Sequence, residues 1–122
     1  AVKSAVDASG RTATWLISGD LAHVGRKFGD ESEADNLMPK VNLADRELLN
    51  HLQGADVEAY HEAIMRTEHA YRVCGHAPTL LTLGATAPAK GELLAYETWN
   101  EAETQSAVTF ATMAFGGERE TQ

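Results

Sequence analysis

Apolar residues recur along this chain in two rhythms, one helical and one strand-like. Val2, Ala5 and Val6 stand three and four apart, the stripe of a helix lying on a sheet, and Gly10 is placed to end it. The next run, Thr12 to Ser18, is centred on Trp15, Leu16 and Ile17 and bounded by Gly10 and Gly19, which predicts a short buried strand stopping at a Ser18-Gly19-Asp20 turn. A helix leading straight into a buried strand is half of an α/β unit, so helices should cover at least one face of the sheet. Gly25 to Pro39 shows little periodicity and carries Asp30, Glu31, Glu33 and Asp35. It reads as a long loop, placed to cover whatever the preceding residues do. Its acids lack the spacing of a Ca²⁺ loop and read as a solvated face.

The helical rhythm then returns. Asn42 is a cap for a helix from Leu43 to about Gln53, with Asp45 in its first turn, Leu48, Leu49 and Leu52 as its buried stripe and Gly54 as its stop. Asp56 caps a second helix running to about Val73, on which Val57, Tyr60, Ile64 and Tyr71 form the apolar face. His61 and His69 lie two turns apart on it, too far to grip one metal ion without a third element, and both are expected at the surface. Gly75 ends this helix, and Pro78 suits the first turn of the next, whose face uses Leu80, Leu81 and Leu83. Two runs rich in strand formers close the pattern, Leu93 to Trp99 and Ala107 to Phe115, joined by the polar stretch Asn100 to Ser106 and therefore antiparallel neighbours. Residues 117–122 read as a polar tail. The expected architecture is a single α/β domain over 1–122, a mixed sheet flanked by helices and finished by an antiparallel strand pair.

Charge and composition narrow the partners. Eighteen acidic against ten basic residues give a formal net charge of −8, and the basic residues are scattered. Nucleic acid and anionic membrane are poor partners for such a surface. No apolar run approaches the ~20 residues of a membrane span, and the first residues lack the pattern of a signal peptide. A single cysteine makes no internal disulfide, which points to a reducing, cytoplasmic setting. The chain opens at Ala1 in what reads as a helix already under way, so an upstream part is expected.

Two places carry candidate chemistry. Open α/β sheets bind ligands beyond the carboxyl ends of their strands, where Ser18, Asp20 and His23 would stand. Asp20 has the alternative role of capping the turn. Cys74 sits at a sharp corner before a helix, and the positive end of a helix dipole favours anionic sulfur, the form that attacks electrophiles or binds soft metals. A lone cysteine is also often a small buried hydrophobe. His76 completes no zinc spacing with it. Cys74, His23 and Asp20 are also the residue types of a cysteine hydrolase: nucleophile, base and orienter.

The segments Leu16-Ile17-Ser18-Gly19-Asp20-Leu21-Ala22-His23 and Val73-Cys74-Gly75-His76-Ala77-Pro78, followed by Leu94-Ala95-Tyr96 and Ser106-Ala107-Val108-Thr109-Phe110-Ala111, taken in this order, resemble the Memo-like family. That family is related in fold to the class III extradiol ring-cleaving dioxygenases. Gly19 between Ser18 and Asp20 departs from the Ser-Asp pair of many members, though the ring-cleaving relatives tolerate it. The resemblance implies that the chain is the C-terminal half of a larger domain. Histidines from an upstream half would meet His23, as acid/base beside the metal, and Cys74, as the metal-facing group. It implies a divalent metal, Fe(II) foremost with Cu or Zn as alternatives, and metal-dependent oxidation of a small aromatic molecule, with Asp20 orienting His23. The alternative within the family is a metal- or peptide-binding protein without turnover. A sheet edge left uncovered by the upstream half would favour homo-oligomers.

Overall fold

The computed structural model describes residues 1–116. The tail expected at 117–122 lies outside the described residues. The elements are α1 (Val2–Ser9), β1 (His23–Gly25), α2 (Ala34–Gln53), α3 (Val57–Arg66), α4 (His76–Thr86), β2 (Lys90–Glu101) and β3 (Ser106–Gly116), with short 3₁₀ turns at Arg26–Phe28 and Ala102–Thr104. The α/β class expected from the pattern is what the chain adopts. β3 is the central strand and pairs antiparallel with both neighbours, in the order β1-β3-β2. Val108 stands opposite His23 on one side and Trp99 on the other, which fixes where β1 meets the long hairpin.

The hairpin follows the pattern closely, because both strands alternate and the polar link between them makes a compact turn ending at Gln105 with φ 53°. α3 likewise starts where expected, with the Asp56 carboxylate accepting the Ala59 N–H at 3.0 Å. One apolar cluster joins Leu48, Leu49 and Leu52 of α2 to Tyr60 and Ile64 of α3 and Leu83 of α4. A second holds Ala22, Val24, Ala34, Val41 and Ala107 under β1. Of the face expected on α4, Leu83 is buried while Leu81 is 71% exposed. No helix among the described residues is long and apolar enough to cross a membrane.

Four expectations need correcting. Thr12 to Ser18 forms no strand: Leu16 is 91% exposed and Trp15 is exposed as well. An apolar run becomes a strand only where a partner offers its ladder, and β3 pairs later in the chain. Leu21 N–H donates to Thr109 O and Thr109 N–H to Ala22 O, both at 2.9 Å, just ahead of β1. Second, the loop expected through Pro39 is helical from Ala34 onward. Ala34, Val41, Leu48 and Leu52 are buried along one stripe, with Leu37 and Met38 packed beside it, and that burial outweighs the backbone hydrogen bond Pro39 cannot donate. Asn42 is therefore mid-helix, and its side chain accepts from the Tyr96 hydroxyl at 3.0 Å instead of capping.

Third, α3 ends at Arg66 rather than Val73. Glu68, His69 and Arg72 take positive φ, and the chain turns so that Tyr71 O accepts the His23 N–H at 2.8 Å. Fourth, α1 ends in a left-handed Gly10 as expected, but its stripe is not buried, and Val2 is 68% exposed.

Candidate functional site

Two backbone segments distant in sequence cross at glycines, Gly19 on one and Gly75 on the other. A Cβ on Gly19 would lie 2.5 Å from Gly75 Cα, and one on Gly75 would lie 2.7 Å from Asp20 O, so only glycine permits the crossing. Gly75 N–H donates to Asp20 O at 2.9 Å. Asp20 N–H in turn donates to Cys74 Sγ at 3.1 Å, which seats the sulfur against the turn that leads into His23. Gly19, the departure from the Ser-Asp pattern, thus has a physical role: it lets the turn lie against the corner before α4.

The result gathers Asp20, His23 and Cys74, each offering one donor atom within 4.8 Å of the others. Cys74 is exposed, the Asp20 side chain is 49% exposed, and the His23 side chain is 20% exposed. Ser18 is exposed. His23 Nδ1 lies 3.1 Å from Arg72 O and 3.2 Å from Leu21 O. Carbonyls only accept, so Nδ1 carries the proton and Nε2 presents its lone pair. Nε2 is also the nitrogen nearest the acid, 4.0 Å from Asp20 Oδ2. Backbone carbonyls therefore orient the imidazole, not Asp20, which faces the opposite nitrogen. The Phe28 ring stands edge-on to His23 with centroids 5.2 Å apart, closing one side.

Beside this corner runs an open groove of about 770 Å³ that reaches Asp20. Trp15, Ile17, Leu52, Tyr60, Leu83 and Phe115 give it an apolar wall. Tyr60 belongs to that wall rather than to the acid/base chemistry. Burial, opposed by a hydrogen bond with Thr79 and reinforced by the nearby Cys74, pushes its phenol up to about 12.

His69 is exposed as expected and His61 half-buried, and both meet a third histidine. His61 Nδ1 lies 2.8 Å from His76 Nε2, and the His69 ring is 5.6 Å from the His76 ring. Burial, then the neighbouring His61 and His69, holds His76 below the ordinary imidazole range. Spacing along one helix hides this group, because the turn after Arg66 brings His76 back from the start of α4. Among the described residues the three-donor convergence lies at Asp20, His23 and Cys74, not here.

A MEMO1 family protein of Aquifex aeolicus (strain VF5) is 33% identical over 106 residues, covering 82% of this chain and 26% of that protein. The chain thus spans about a quarter of the length of the curated relative it matches. The sequence model of the Memo-like protein family matches residues 2–114, and the chain belongs to that family.

Proposed function

We propose that the Asp20, His23 and Cys74 corner is the contribution of this chain to a metal-dependent oxidoreductase pocket of the class III extradiol dioxygenase kind. The observation that carries the reading is the convergence of a carboxylate, an imidazole and a thiol within 4.8 Å, with the imidazole lone pair left free by backbone acceptors. An oxygen, nitrogen and sulfur donor set suits Fe(II), Cu or Zn, and carboxylate with imidazole suits Fe(II) best of the three. Cys74 is the metal-facing ligand, and His23 Nε2 stands beside it. When bound, the metal would supply a site where a small aromatic diol and an oxidant are held together.

The chain's own residues have separate tasks in this reading. His23 Nε2 takes a proton from the hydroxyl of the substrate and returns it, a role its proton-bearing Nδ1 prepares it for. Asp20, 4.0 Å from Nε2, stands on the same side of the ring. The groove from Asp20 to Phe115 offers apolar walls for an aromatic ring and sheds water from it. The cysteine-hydrolase arrangement fits less well. That chemistry wants the acid on Nδ1 and the nucleophile on Nε2, whereas here backbone carbonyls occupy Nδ1 and Asp20 faces Nε2.

The test is made on the full-length gene product: metal content per chain, and oxygen uptake with a panel of catechols. One ion per chain with catechol-dependent uptake supports the reading. Bound metal without uptake favours a non-catalytic metal-binding member of the family. Catalysis by metal-free protein that thiol alkylation abolishes would return the hydrolase reading.

A further inference from the structure

His23 is held by the residue pair Tyr71 and Arg72 at three points. Tyr71 O accepts its backbone N–H at 2.8 Å, Arg72 O lies 3.1 Å from Nδ1, and the Arg72 guanidinium donates to His23 O at 3.2 Å. Arg72 does this with φ 49°, a conformation side-chain-bearing residues seldom adopt, which turns its carbonyl back toward the imidazole. The same guanidinium grips Asp30 through two hydrogen bonds of 3.2 Å. Asp30 Oδ2 also accepts the Gly25 N–H at 2.9 Å, at the far end of β1. A bidentate guanidinium–carboxylate pair is the strongly directional kind of ion pair. Burial works against ionised Asp30, but Arg72 and the Gly25 N–H outweigh it and hold the carboxyl below its ordinary range.

We propose that Asp30 and Arg72 are positioning residues that set the tautomer of His23. Their ion pair spans β1 from Gly25 to His23, fixes the turn at residue 72, and so aims the Arg72 carbonyl at Nδ1. The proton stays on Nδ1, and Nε2 faces Asp20 and Cys74 as a free donor. A free imidazole prefers the opposite tautomer, so the protein must impose this one. Leu21 O, 3.2 Å from Nδ1, is a second acceptor, so loss of the ion pair shifts the tautomer balance without inverting it fully. Only the use made of Nε2 rests on the metal reading above.

The experiment is nitrogen NMR of ¹⁵N-histidine-labelled, metal-free, full-length gene product, followed by Zn(II) titration. The wild type is expected to show a proton-bearing Nδ1 and a bare Nε2 at His23. Asp30→Ala and Arg72→Met should move the pair of resonances toward the Nε2–H form and weaken Zn(II) binding by about 10–100-fold. Lys27→Met, which removes the neighbouring 3.0 Å ion pair with Glu101, should leave both unchanged. Asp30→Asn, which keeps an acceptor for Gly25, serves if the alanine variant unfolds. A wild-type His23 in the Nε2–H form overturns the proposal, as does a tautomer unmoved in every folded Asp30 and Arg72 variant. If the tautomer responds as stated while the wild type takes up no Zn(II), the positioning role stands and the metal reading falls.

Discussion

Two carboxylates in this molecule, one on α2 and one just ahead of β1, meet opposite fates. Asp45 is 1% exposed on α2, and its Oδ2 accepts the Tyr96 hydroxyl at 2.6 Å. No cation is recorded against it among the described residues. Burial pushes its carboxyl up, against the pull of hydrogen bonds from Thr109 and Tyr96. Asp20 stands in the open with a thiol and an imidazole beside it. The first acid spends its hydrogen-bonding capacity inside the fold, joining α2 to β2. The second keeps donor atoms facing outward, which is what a ligand needs. Burial with satisfied partners marks structure, whereas exposure with converging, unspent lone pairs marks a site.

The change expected to do most damage blurs this distinction. Gly75→Ala would push a methyl into the Asp20 carbonyl, costing about 1–3 kcal/mol and prising Cys74 from Asp20 together. Urea melts and Zn(II) titration of that variant should both move; a variant that keeps its metal affinity would show that the crossing does not build the site. Tyr96→Phe should separate the two regions. Leaving Asp45 without its hydroxyl donor costs about 1–2 kcal/mol, with metal binding unchanged.

Proton linkage gives a smaller effect of opposite sign at two acids. The raised Asp45 value means that its contribution is fully present below the ordinary carboxyl range and is lost as pH rises through the folded-state value. The lowered Asp30 value means the reverse, with a contribution present above that range and lost as pH falls through the folded-state value. From about pH 3 to neutrality, Asp45→Asn should gain stability relative to wild type as pH rises through the range above about 4, and Asp30→Asn should lose it as pH rises through the range below about 4. Denaturant melts across that interval check both slopes, and slopes of the same sign would contradict the assignment. The smallest effect is expected at the site itself. Cys74 is exposed, so Cys74→Ser should stay within about 0.5 kcal/mol of wild type while metal retention falls away.

The hairpin and the start of α3 were legible in the sequence because their determinants are local: alternation, a polar turn, and an aspartate three residues ahead of the amide it caps. Trp15 to Ile17 looked equally like a strand, but nothing in an apolar run says whether a partner strand is offered. Leu21 to Gly25, short and interrupted by a histidine and a glycine, took the ladder instead. Pro39 hid the first turns of α2, since a helix-breaking residue is visible in sequence and the burial of Ala34 and Val41 that overrides it is not. At the site, His23 and Cys74 could be picked out by residue type and by their order in the chain. The acceptors that orient His23 could not, because every residue owns a carbonyl and only the turn at residue 72 says which one is aimed at the ring.

The crossing of Gly19 over Gly75 also bears on when the site exists. Its hydrogen bonds join Asp20 to Cys74 and Gly75, 54 and 55 residues on, so a long loop that contains α2 and α3 must close before Asp20 and Cys74 meet. A partly folded chain would hold the donors too far apart to share an ion. If the corner holds a metal as proposed, the ion would bind the native state and not its precursors, raising the melting temperature with concentration.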